Sequence, residues 1–90
     1  MPTLRIPEAL RRYAGGEVVL QVGGAAVGAA LADAFARHPA LRIRLVDESG
    51  RVHPHLAVFR NEEQLRREDA DSAALGPDDT LTLLIAVDGG

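Results

Sequence analysis

The rhythm of apolar and polar residues changes several times along the ninety positions, and each change predicts an element. Thr3-Leu4-Arg5-Ile6 alternates before Pro7, and residues 17–22 are rich in β-branched side chains, with Ala14-Gly15-Gly16 as the turn between the two stretches. This reads as a β-hairpin. Side chains alternate across a strand, so Leu4, Ile6, Val18, Leu20 and Val22 share the core face, while Arg5 and Gln21 point away. After Gly23-Gly24, the residues Val27, Leu31, Ala34, Phe35 and His38 recur at helical spacing, predicting a helix that starts at a Gly24 N-cap and ends at Pro39.

Residues 40–46 continue as a helical turn, and Asp47-Glu48-Ser49-Gly50 reverses the chain. A third strand is placed at 55–60, with Leu56 and Val58 on one face and Ala57 and Phe59 on the other. Asn61-Glu62-Glu63-Gln64 reads as a turn, residues 66–74 as an irregular acidic segment, and Gly76-Pro77-Asp78-Asp79 as a second turn. A last strand over 80–87 points Leu81, Leu83 and Ile85 inward and Thr82 and Leu84 outward. Two hairpins flanking one main helix predict an α+β roll, the β-grasp or ubiquitin-like arrangement, with a mixed sheet of four to five strands. Such a sheet leaves one face wet. Phe59 and Leu84, outward on neighbouring strands, then form a candidate docking face for a partner.

Composition narrows the function classes. Ninety residues hold one core, so residues 1–90 are expected to form a single domain. A formal charge of −3 and three aromatic residues, Tyr13, Phe35 and Phe59, argue against nucleic acid as a partner. There is no cysteine, which removes disulfides, thiolate metal sites and thiol nucleophiles. No apolar run reaches the ~20 residues that cross a bilayer, so no membrane partner and a cytoplasmic location are expected. His53 and His55 flank Pro54, but with His38 as the one further histidine no metal site is predicted. The pairs Glu62-Glu63 and Asp78-Asp79 sit in turns, where adjacent side chains diverge, so neither forms an acid–base dyad.

The sequence closes on Ile85-Ala86-Val87-Asp88-Gly89-Gly90. Residues without a Cβ pass through a narrow slot, and such a tail carries a backbone carboxylate into the catalytic groove of another protein. A carboxylate becomes a competent acyl donor once condensed with ATP to an acyl adenylate, which sulfide or an amine then attacks. The reactive group would be Gly90 and the catalytic groups the partner's. Every basic residue is arginine, so no lysine or cysteine side chain offers a nucleophile for self-acylation or for chain building on this protein.

Ile6-Pro7, Leu10-Arg11, Gly15-Gly16, Val27-Gly28, Arg44-Leu45-Val46-Asp47, Asn61-Glu62-Glu63, Leu65-Arg66 and the terminal Ala86-Val87-Asp88-Gly89-Gly90 occur in an order and spacing that resemble the MoaD/ThiS family of ubiquitin-like sulfur carriers, above all its CysO-type branch. The resemblance spans essentially the whole chain. It implies that an E1-like enzyme of the MoeB/ThiF type adenylates Gly90 and that the adenylate becomes a thiocarboxylate. The sulfur then passes to a biosynthetic acceptor enzyme, in cysteine synthesis for the CysO type and in molybdopterin or thiazole synthesis for its cousins. It implies a flexible tail in which Val87, Asp88 and Gly89 thread the partner's active site, and a docking face of Phe59, Leu84 and Ala86. It also implies a carrier with no catalytic residues and no bound cofactor, ATP and the sulfur donor being used by the partner, and a monomer when free. The chain departs from the family pattern in lacking a proline shortly before the diglycine, in carrying Asp88 beside the reactive end, and in having Arg60 and Ala57 where an aliphatic residue and an asparagine are usual. Two rival readings are a protein modifier joined through Gly90 to target lysines, and a non-covalent ubiquitin-like binding module.

Overall fold

The computed structural model describes residues 1–86. The first hairpin forms as the alternation predicts: β1 (Thr3–Arg5) pairs antiparallel with β2 (Val19–Gln21), Leu4 opposite Leu20. Its connection is more than a turn. Pro7 opens a 3-10 helix over Glu8–Ala14, closed by Gly15 at φ 66°, a left-handed conformation that glycine adopts without steric cost.

The main helix, α1 (Val27–Arg37), buries Val27, Ala30, Leu31 and Ala34 against the sheet. Its N-cap is Ala26, not Gly24, and no side chain caps it. The first helical N–H groups are satisfied from elsewhere: Val27 N donates to the Ala73 carbonyl (3.0 Å) and Gly28 N to the Asp71 carbonyl (2.9 Å). The expected Gly24 has another use. Its φ is 137°, and a Cβ there would stand 2.7 Å from Ala30 N, so this glycine lets the incoming chain lie against the helix. A short α2 (Ala40–Leu45) follows Pro39 and buries Leu41 and Leu45.

The second half holds β3 (Leu56–Arg60), β4 (Glu63–Leu65), the single helical turn α3 (Arg67–Ala70) and β5 (Thr80–Ile85). The expected turn over 61–64 is shorter than predicted. Only Asn61 and Glu62 reverse the chain, Asn61 at φ 55°, and Glu63 and Gln64 already pair with Arg60 and Phe59. Asparagine tolerates that left-handed geometry, which lets so tight a reversal form. The segment 66–74, expected to be irregular, contains the turn of α3.

The sheet order is β2-β1-β5-β3-β4, with β1 parallel to the central β5 and every other pair antiparallel. The inner face is a continuous apolar layer. Leu20, Leu4 and Leu81 line up across β2, β1 and β5, and Leu83 faces Val58, all of them buried. Helices α1 and α2 cover this layer. The architecture is the expected β-grasp roll. One inward assignment fails: Ile85, predicted to be core, is 46% exposed and lines an open hollow with Leu10 and Ile43 of α2 at the rim of the inner face.

Candidate functional site

The root of the C-terminal tail is built on β5. Five residues of this strand pair with β3, from Leu81 opposite Arg60 to Ile85 opposite Leu56, and Ala86 N adds a bond to the His55 carbonyl at 2.8 Å. The strand is therefore anchored on its β3 side to its last described residue. Val87, Asp88, Gly89 and Gly90, the predicted reactive tail, lie outside the described residues.

The predicted docking residues fall on the outer face, as alternation requires. Ala57 stands opposite Leu84 and Phe59 opposite Thr82, which makes Phe59 and Leu84 diagonal neighbours on paired strands. Leu84 is 48% exposed, Phe59 half-buried and Ala86 exposed. Toward the other edge the same face carries Arg5, opposite Thr82, and Val19, opposite Arg5. The face is thus an apolar strip beside the tail root with a cation at its flank.

Arg60, which departs from the family's aliphatic habit, points to the inner face opposite Leu81. Its guanidinium escapes the core at the sheet end, donating to the Ala74 carbonyl (2.8 Å) and to Glu63 Oε1 (2.7 Å). A long side chain with a charged head can line an apolar layer in this way while its terminus stays solvated.

Several polar residues singled out by sequence are engaged in turns, ion pairs or ring stacking. Asp47 Oδ1 accepts from Ser49 N (2.9 Å), Ser49 Oγ (2.6 Å) and Arg51 N (3.1 Å), while Oδ2 faces Arg67. The Ser49 hydrogen bond, with the neighbouring backbone donors, holds the Asp47 carboxyl below its ordinary range. Asp79 is lowered by hydrogen bonds from Asn61 and from Gly76 N, and so is tied to the turn that starts β5. The Glu63 carboxylate pairs with Arg60. Arg11 pairs with Glu8 and Arg66 with Glu68. His53 and His55 stack with ring centroids 5.3 Å apart, and His53 Nε2 lies 2.9 Å from the Ile43 carbonyl oxygen. Among the described residues no three His, Asp or Glu side chains come together as a metal-binding group, and no helix is long and apolar enough to cross a membrane.

Sequence reasoning missed the surface on the other side of the tail root. Ile85 projects there beside Leu10, Ile43 and His55. Burial of Leu41 and Leu45 on α2 forces the residue between them outward, and that periodicity was the available signal for Ile43.

The fold defines a ubiquitin-like β-grasp protein, in a chain whose sequence closes on a diglycine beyond the central strand β5. Residues 4–90 match the ThiS family, and the chain belongs to that family. It is of the CysO type within the wider MoaD/ThiS group. The sulfur carrier protein CysO of Mycobacterium tuberculosis is 32% identical over 90 residues, covering 98% of this chain and 97% of that one. In the crystal structure of the Amycolatopsis orientalis BexX/CysO complex, a chain 37% identical superposes with a TM-score of 0.88 over 100% of both chains. SAMP1 from Haloferax volcanii is 32% identical with a TM-score of 0.73, over 99% of this chain and 98% of that one.

Proposed function

We propose that this chain is a cytoplasmic sulfur carrier, not itself an enzyme, whose Gly90 carboxylate is adenylated by an E1-like enzyme of the MoeB/ThiF type and then converted to a thiocarboxylate. The carboxylate attacks the α-phosphorus of ATP, pyrophosphate leaves, and the acyl adenylate forms; sulfide then adds to the acyl carbon and AMP departs. The sulfur goes to a biosynthetic acceptor enzyme, with cysteine synthesis the first choice. The observation that carries this reading is the family match extending through the terminal Gly89-Gly90, in a chain similar along its length to CysO proteins. ATP and the sulfur donor belong to the partner, whereas Gly89 and its neighbours supply a slender approach. Phe59, Leu84 and Ala86 provide the docking strip beside it. A CysO occurs in complex with BexX, which supports the use of such a carrier as a docked protein substrate.

The likeness to SAMP1 favours a second reading, a modifier joined through Gly90 to lysines of other proteins. Intact mass spectrometry after incubation with ATP, sulfide and the cognate adenylating enzyme separates the two. Exchange of one terminal oxygen for sulfur is expected. Isopeptide adducts on other proteins in its place would favour the modifier, and function indifferent to loss of Gly90 would remove both readings.

A further inference from the structure

The helix α2 exposes Ile43 to 77%, more than any other large apolar side chain among the described residues, and sets an arginine on each side of it. The two arginines differ from most of the others. Arg11, Arg37, Arg60, Arg66 and Arg67 each have a carboxylate partner, whereas Arg42 and Arg44 have none among the described residues, and neither does Arg12. Arg44 and Arg12 are instead held over the Tyr13 ring, their guanidinium carbons 4.5 and 5.1 Å from its centroid. Stacking on an aromatic face orders a guanidinium while leaving its N–H fork free for a carboxylate. A hollow continues from Ile43 and Arg44 past Leu10 to Ile85, the last residue of β5, and to His55, whose carbonyl anchors Ala86. The carboxylates at the border are Asp47, engaged in its own turn and facing Arg67, and Glu48.

We infer that this surface is a second docking site, which receives an acidic, apolar-centred surface of the adenylating enzyme, with Ile43 as the anchor and Arg42, Arg44 and Arg12 as the ring of cations. The occupant follows from charge. The chain as a whole is acidic at −3, so attraction of an acidic partner falls to local groups of arginines, and three of the five without a carboxylate partner among the described residues, Arg12, Arg42 and Arg44, gather here, while Arg5 lies on the outer sheet face. An exposed apolar side chain ringed by arginines also has the composition of an interface centre. The place follows from β5, whose alternation sends Leu84 to the outer sheet face and Ile85 to the α2 side. A partner that grips both straddles the strand from which the tail continues. The inference rests on the carrier reading and adds to it the chemistry of the partner's surface.

The test is steady-state conversion of the full-length chain to its thiocarboxylate by the purified adenylating enzyme, with ATP and sulfide, at several salt concentrations. A double variant, Arg42→Glu with Arg44→Glu, is compared with wild type, and so is Ile43→Ser; circular dichroism confirms that both fold. Expected are a KM at least tenfold higher for each with kcat unchanged, and loss of the salt dependence of KM in the double variant. A KM within twofold of wild type with the same salt response would overturn this surface and leave the carrier reading intact. Isotope-edited NMR of the wild-type chain with the enzyme gives a reading that needs no turnover. Shifts at residues 42–44, Leu10 and Ile85 are expected, and a footprint confined to the Phe59 face would overturn the inference. A wild-type chain that neither binds nor is converted would remove the carrier reading and this surface with it.

Discussion

Gly24 shows how one residue decides whether two elements can approach. Its φ of 137° and the 2.7 Å gap between a Cβ there and Ala30 N leave no relaxed conformation for alanine. Gly24→Ala is expected to cost more than about 1 kcal/mol of stability, read as a lower urea midpoint with unchanged slope. Gly50, also at positive φ but with open space around it, should lose less on the same change. The acidic residues act together at low pH. Asp33 is lowered first by the hydrogen bond from Gly23 N and then by Arg37, and Asp47, Glu68 and Asp79 are lowered as well. A carboxyl whose folded value lies below its unfolded one stabilises the fold above the unfolded value, and that contribution disappears as pH falls through the folded one. Melting temperature should therefore hold near neutrality and fall as pH drops below about 4, the ordinary carboxylate value. Asp33→Asn, which removes one such group, should make the decline shallower in a series of thermal scans.

Within β5, alternation gives neighbouring residues opposite duties. Leu81 and Leu83 are buried, and Leu83→Ala should cost about 2–5 kcal/mol because the cavity it leaves lies between β3 and the helices. Chemical denaturation reads that loss directly. Phe59 belongs to the opposite face and is half-buried, so Phe59→Asp should cost about 1 kcal/mol, less than Leu83→Ala, and leave the chain folded. The same variant should weaken docking to the adenylating enzyme by about 2 kcal/mol, measured by calorimetry. Unfolding of Phe59→Asp would mean that the half-buried ring supports the sheet itself. The helix α1 illustrates a different dependence. With no capping side chain of its own, it borrows the carbonyls of Asp71 and Ala73, so its first turn depends on a segment more than forty residues away in the chain.

For the molecule as a whole, the parallel placement of β1 beside β5 puts the strand that ends the domain at the centre of the sheet, where both neighbours hold it. The buried part of that strand ends at Leu83 and the ladder at Ala86. Deleting Gly89 and Gly90 should accordingly leave the melting temperature unchanged in a thermal scan while abolishing conversion to the thiocarboxylate. The first hairpin, α1, β3 and β5 were all legible in the sequence, and with them the outward placement of Phe59 and Leu84. Each is marked by a period of two or of 3.6 that burial of one face enforces. The strand β4 was not legible. Its three residues include two polar ones, and only pairing with β3 makes them a strand. The exposure of Ile85 was equally hidden, since alternation reports the face of a side chain and not how far the covering layer extends. By itself, the sequence determined which faces of the first hairpin, α1, β3 and most of β5 turn inward, and that it closes on a diglycine, because periodicity and residue type are local properties. Tertiary structure alone decided that Arg44 meets Tyr13 and that Ile43 and Arg44 share a hollow with Ile85, because that neighbourhood is assembled from a 3-10 helix, a short helix and a strand end far apart in the chain.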